Sequence, residues 1–160
     1  MRILSSRIPT PALMLAGLLI ACPSLATTAK APPKLTLEAL PQAVQKTVRA
    51  QTEGAVIRDI TKEKGEDGKW VYEIETKIKD MGHDFIVGED GALLISERQV
   101  TLESLSPAVR STLVKAAAKR PILIVESVTK AGKFEYYEAQ VGSSKTPAEI
   151  KVGSNGALVK

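Results

Sequence analysis

The chain says one thing twice. Residues 87–95 read VGEDGALLI and residues 152–160 read VGSNGALVK, 65 positions later. The echo is not confined to that phrase. LTLEALPQAVQKTV (35–48) answers VTLESLSPAVRSTL (100–113), and YEIE (72–75) answers YEAQ (137–140), both at the same offset. Between these blocks VIRDITK (56–62) faces IVESVTK (124–130) at an offset of 68. The second copy gains three residues after its helix and loses three in the next turn. Insertions and deletions that cancel at loops are what a duplicated folding unit leaves behind. A chain built this way has little freedom in its architecture: it must fold as one small unit, twice.

The unit has a readable grammar. Thr36 or Thr101 before Leu-Glu signals a helix start. Ala43, Val44, Thr47 and Val48 place a stripe at helical spacing. Pro41 and Pro107 sit near the start, where proline is tolerated, and Gly54 and Pro121 mark the ends. A first strand follows, AVIRDIT or ILIVESVT, then a turn, KGEDGK or KAGK. The second strand is WVYEIETKI or FEYYEAQV. In the first of these, Trp70, Tyr72, Ile74, Thr76 and Ile78 share one face and Glu73, Glu75, Lys77 and Lys79 the other, the period of a half-buried antiparallel strand. A third strand, HDFIV or AEIKV, runs into Asp90-Gly91 or Asn155-Gly156, read as a two-residue hairpin turn. A short strand, ALLI or ALV, closes the copy. The expected fold is α+β: two tandem αββββ repeats over 35–98 and 100–160, each one helix packed on an antiparallel sheet. The sheets either join edge to edge or pack as two.

The N-terminal stretch belongs to neither copy. Arg2 and Arg7 precede an uncharged stretch over 8–26 whose apolar centre is ALMLAGLLIA (12–21). Ten residues rise about 15 Å as a helix, half of a hydrocarbon core. The order basic, apolar, small is that of a secretion signal. Residues 1–26 are therefore expected to be a signal peptide and TTAKAPPK (27–34) a flexible tether. Ser24-Leu25-Ala26 fits an A-x-A cut after Ala26. Leu19-Ile20-Ala21-Cys22 fits a lipoprotein box, with Cys22 lipidated and anchoring the chain to a membrane. Pro23, directly after Cys22, favours the first. Either route exports the protein to the periplasm or beyond.

Losing residues 1–26 leaves 20 basic against 18 acidic residues, a net charge of +2. Lysines and glutamates are interspersed, so no nucleic-acid stripe is expected. With one cysteine in the chain, no intramolecular disulfide can form, and stability must come from packing.

The helix opening LPQAVQKTV, the strands GKWVYEIE and KFEYYEAQV, and the hairpins FIVGEDGALL and IKVGSNGALV resemble the PepSY-like, β-lactamase-inhibitor-like family of exported bacterial proteins. The resemblance covers essentially all of 35–160. It implies a helix on an antiparallel sheet, often in tandem, and a role in inhibiting or regulating secreted hydrolases and proteases. The chain departs from the inhibitor that lends the family half its name. That protein presents an aromatic-rich concave face and disulfides, whereas this chain has one Trp, three Tyr and two Phe.

No catalytic residue, metal ligand set or cofactor is expected. His83, the only histidine, neighbours Asp80 and Asp84 in DMGHDF, but Ala148 stands at its place in the second copy and a zinc site wants four ligands. Its parity puts it at the margin of the buried face. Glu66, Asp67, Glu89 and Asp90 read as turn residues, too sparse for calcium. Trp70, Tyr72 and Tyr137 are expected in the core. Phe134 and Tyr136 have the opposite parity from Tyr137 and should emerge on the outer sheet face unless the strand is bulged, where exposed aromatics favour contacts. Glu73, Glu75, Lys77 and Lys79, continued by Glu138 and Gln140, form a polar outer row. Phe134, Tyr136, Glu73, Glu75 and Glu138 are thus the candidate binding residues. The function they point to is a non-enzymatic module binding a protein or peptide. The alternative is a sensor or carrier of a small ligand or metal.

Overall fold

The computed structural model describes residues 34–65 and 67–159. The expected secretion signal, Cys22, the tether before Lys34 and the turn residue Glu66 lie outside them. No helix among the described residues is long and apolar enough to cross a membrane.

The structure is α+β. Helix α1 (Gln42–Gln51) precedes β1 (Val56–Lys64), β2 (Trp70–Ile78), β3 (Met81–Gly88) and β4 (Leu93–Gln99). Helix α2 (Pro107–Ala117) precedes β5 (Ile122–Lys130), β6 (Lys133–Ser143), β7 (Thr146–Val152) and β8 (Leu158–Val159). All eight strands lie in one antiparallel sheet in sequence order, with β4 pairing β5. The sheet is thus continuous.

The helix starts differ from the sequence reading. Thr36 and Thr101 open short 3-10 turns, Leu37–Ala39 and Leu102–Ser104, not the α-helices. Leu40 and Leu105 then adopt extended backbone, and each is only 4% exposed. The α-helices begin after them, with Pro41 and Ser106 as N-caps. A long side chain in each first turn ties the break. Gln45 Nε2 donates to the Leu40 carbonyl at 3.0 Å, and an Arg110 guanidinium nitrogen donates to that of Leu105 at 3.2 Å.

Register fixes which face each residue occupies. Thr76, His83, Arg98, Ser127, Tyr137 and Val152 are successive cross-strand partners from β2 to β7. They and their i±2 neighbours form the face beneath the helices. There Val44 and Val48 of α1 pack with Ile60, Tyr72, Ile74, Phe85 and Val87. Val109, Leu113 and Ala117 of α2 pack with Val125, Ala139, Val141, Ile150 and Val152. Both helices therefore cover the same side of the sheet, over two cores, and among the described residues the opposite side is helix-free.

The repeated phrase turns out to hold helix and sheet together. Its loop is longer than a two-residue turn. The Gly91 amide donates to the Gly88 carbonyl at 2.9 Å, and the Gly88 amide to that of Ala92 at 2.9 Å. Gly91 has φ +84° and Asp90 is not in the left-handed region. This is a three-residue loop with glycine at its left-handed position, and the Asp90 carboxylate accepts the Ala92 amide instead of itself needing positive φ. The glycine tip presses on the helix. A Cβ on Gly91 would lie 2.7 Å from the Ala43 carbonyl oxygen, and Thr47 Oγ1 donates to the Gly91 carbonyl at 2.6 Å. Gly156 stands likewise against Ala108, with Thr112 Oγ1 donating to its carbonyl at 2.8 Å.

Candidate functional site

The helix-free face carries the chemistry. One file of cross-strand partners runs Asp59–Glu75–Asp84–Glu97–Val128–Tyr136 from β1 to β6. Two residues along, Glu126 of β5 pairs Glu138 of β6, which pairs Lys151 of β7. Side chains at such paired positions stand about 4.5–5.5 Å apart at Cβ, and like charges placed so repel. Three consecutive carboxyl–carboxyl pairs are therefore a cost the sheet carries.

Burial sharpens that cost. Glu97 is 3% exposed and Glu138 2%. Burial, reinforced by Glu126, Glu138, Asp84 and Glu73, pushes the Glu97 carboxyl up to about 8. Burial first and then neighbouring acids raise Glu73 and Glu126 to about 7. Asp84 is also raised by burial, against the pull of the Thr76 amide, which donates to its Oδ1 at 3.0 Å, and of Arg58. Lys151 Nζ sits 3.2 Å from the Glu138 carboxylate and 5.0 Å from the centre of the Tyr136 ring. Among the described residues, Glu97 Oε1 has no hydrogen-bond partner. Beside the file a polar hollow of about 230 Å³ is lined by Arg58, Glu75, Lys77, Asp80, Asp84 and Gln99, among others.

The sequence-derived candidates divide. Glu73, Glu75 and Glu138 do lie on the helix-free face, but Glu138 is buried and not on a solvated row. Tyr136 shares that face yet is 5% exposed, so the expectation of an exposed ring is corrected. Phe134 changes sides. The register slips between Val128 and Thr129, so Phe134 pairs Thr129 on the helix side, and its ring centre lies 4.9 Å from that of Tyr137. The bulge at Glu135 separates the two aromatics expected together. Trp70, expected in the core, is 38% exposed at the start of β2, with Lys64 Nζ 4.1 Å over its ring. Tyr72 is buried as expected, and Tyr137 packs against the second core.

His83 does not meet its neighbouring acids. It is 1% exposed beneath the helices, its Nε2 3.0 Å from Ser96 Oγ, while Asp84 points to the other face and Asp80 is an exposed turn residue paired with Lys77. Burial, then Arg98, lowers its pKa to about 4, so the ring is neutral. Asp67 and Asp90 accept backbone amides two residues on, as turn residues do. No group of three or more metal-ligating side chains occurs among the described residues.

Asp59, Glu97 and Glu126 were not singled out from sequence, and Asp84 was weighed only as a neighbour of His83. Glu97 lay beyond the expected end of β4 at Ile95, and the β4–β5 pairing that brings Glu126 beside the file joins residues about 30 apart. The one sequence signal was the alternation I-S-E-R-Q, which extends β4 to Gln99.

No family model matches the chain, and no curated protein matches it. Solved structures do share its fold. A DUF2874 family protein from Bacteroides ovatus is 17% identical, covering 76% of this chain and 85% of that one, with a TM-score of 0.57. A BLIP-like protein from Bacteroides fragilis is 14% identical over 76% and 84%, TM-score 0.56. A DUF2874 family protein from Bacteroides uniformis is 13% identical over 75% and 86%, TM-score 0.58. The BLIP-like fold is thereby established; at these identities the likeness speaks of fold alone.

Proposed function

We propose that this chain is an exported, non-enzymatic binding module of the cell envelope. It is built by tandem duplication of one αββββ unit and holds a protein or peptide partner on the helix-free face of its sheet. Residues 1–26 serve as its secretion signal, with lipidation at Cys22 the other route out. The observation that carries the reading is the division of labour between the faces. Both helices and both apolar cores lie on one side. The other side gathers a file of carboxyls whose proximity weakens the fold. Sequences break local rules of stability chiefly where function requires it. The hydrogen bonds that recur 65 residues apart support the duplication. A fold shared with a BLIP-like protein supports the more specific reading, in which the bound partner is a secreted hydrolase or protease whose cleft the face covers.

The test is crosslinking capture from the envelope of the source organism, comparing the wild-type protein with a variant carrying Glu75→Arg and Glu126→Arg. A partner lost by the variant supports the reading, and a hydrolase whose turnover falls on adding the protein supports its specific form. Turnover of a substrate by the purified protein, with no envelope component bound, would overturn it. Intact-mass measurement of the exported form separates a free Thr27 terminus from a lipidated Cys22.

A further inference from the structure

We infer that the partner engages through a cationic segment, an extended stretch of polypeptide bearing several lysines or arginines, laid across the strands along the carboxyl file. The inference rests on the binding-module reading above and specifies the chemistry of its site.

Two independent observations carry it. The first is the file itself: Asp59, Glu75, Asp84 and Glu97 occupy successive paired positions on β1 to β4, and Glu126 and Glu138 extend the acid across β5 and β6. Strands stand about 4.8 Å apart, so six strands span about 24 Å. That is several times the reach of one small cation. An extended peptide covers it with seven or eight residues, and its same-side side chains recur every 6.6–6.8 Å. The second is Glu97. Its side chain lies in the middle of the file, is 3% exposed, and leaves Oε1 without a hydrogen-bond partner among the described residues. A buried polar oxygen without a partner is costly, and a charge-assisted hydrogen bond from a guanidinium or ammonium would satisfy it. Lysines already sit at the two margins: Lys34 is 3.7 Å from Asp59, and Lys151 is 3.2 Å from Glu138. Glu75, Asp84 and Glu126 are half-buried, so an arriving segment meets accessible carboxyls on both sides of Glu97. For the metal alternative, no three of the described His, Cys, Asp or Glu side chains are placed so that they could hold one ion.

The experiment is fluorescence anisotropy of a labelled octa-arginine peptide with the purified protein at pH 8.5 in 50 mM salt, where the carboxyls of the file are largely ionised, with octa-glutamate as negative control. Wild type is expected to bind the first and not the second, and to release it in 500 mM salt. Glu97→Gln with Glu126→Gln should weaken binding at least tenfold. Glu53→Gln with Glu103→Gln, the same charge change on exposed sites away from this face, should leave it within twofold. Urea midpoints check that the variants fold. Should Glu97→Gln not fold, Glu75→Gln with Glu126→Gln takes its place. Equal loss in both variant pairs, or none in either, overturns the inference. So does spermine competing as tightly as the peptide, because a small cation would then suffice. A captured envelope partner retained by the Glu97→Gln, Glu126→Gln protein leaves the binding-module reading standing and removes this one. Absence of both peptide binding and capture removes both.

Discussion

Replacing Gly91 by alanine tests whether the repeated loop holds helix to sheet. The position has two liabilities. Its φ of +84° is left-handed, which costs an alanine about 1 kcal/mol. The new Cβ would also lie 2.7 Å from the Ala43 carbonyl oxygen, a backbone atom that cannot swing aside. The loop tip must retreat from α1, and the 2.6 Å hydrogen bond from Thr47 goes with it, for about 1 kcal/mol more. The expected total is about 2–3 kcal/mol. At a urea dependence of roughly 2 kcal/mol per molar, the unfolding midpoint falls by about 1 M or more with an unchanged slope. Gly54→Ala is the internal control. Its φ is +75°, but nothing lies within 4 Å of the added Cβ, so only about 1 kcal/mol should be lost. Gly156→Ala, with contacts of 3.0–3.2 Å to Ala108, should fall between. If Gly91→Ala and Gly54→Ala cost the same within about 0.5 kcal/mol, the docking argument is wrong and the repeat is only turn chemistry. A cycle with Thr47→Val would show it too, as zero coupling.

The remaining predictions concern burial and protons. Glu97, Glu126 and Glu73 keep protons in the fold that the unfolded chain gives up above its ordinary value of 4.5, so their contribution to stability is full below that pH and is lost as pH rises through 7 and 8. Glu97→Gln should therefore stabilise the protein more at pH 8.5 than at pH 5.5, by thermal or urea unfolding; an equal effect at both would refute the raised carboxyl. His83 has the opposite sign: held near 4 against 6.5, it contributes stability above 6.5 that disappears as pH falls through 4. His83→Gln should flatten that acid limb, and NMR titration of the ring should show no protonation at pH 6. Leu113→Ala, at a fully buried position of α2, should cost about 2–5 kcal/mol in urea unfolding.

Much of the fold could be read from residues, because strand parity and turn chemistry are local. The expected second strand, residues 70–78, matches β2, and Tyr72 and Ile74 face the core as their alternation requires. What escaped was set by the register in which the strands pair. A one-residue bulge at Glu135 put Phe134 and Tyr136 on opposite faces, and nothing in FEYYEAQV marks it. Thr36-Leu-Glu and Thr101-Leu-Glu read as α-helix starts because a 3-10 turn opens with the same capping residues. The candidate site was legible only in part. Glu73 and Glu75 follow from the alternation of β2, but the carboxyl file exists because β2, β3 and β4 pair in one register. Each acid alone looked like ordinary solvated sheet.

The sequential order of the sheet bears on how the chain comes to be folded at all. Every strand pairs with the one just before it, so no pairing waits for a distant segment. Loop closure is short at each hairpin, and only the step from β4 to β5 must span a helix. An N-terminus-first chain could complete α1 to β4, with its own apolar core, before β5 emerges. The edge of β4 is then a template on which the second half zips, strand by strand. Topologies rich in such near-neighbour contacts fold fast for their sheet content. If the chain is exported as proposed, that order of assembly shortens the time its apolar strands stand unpaired on the far side of the membrane.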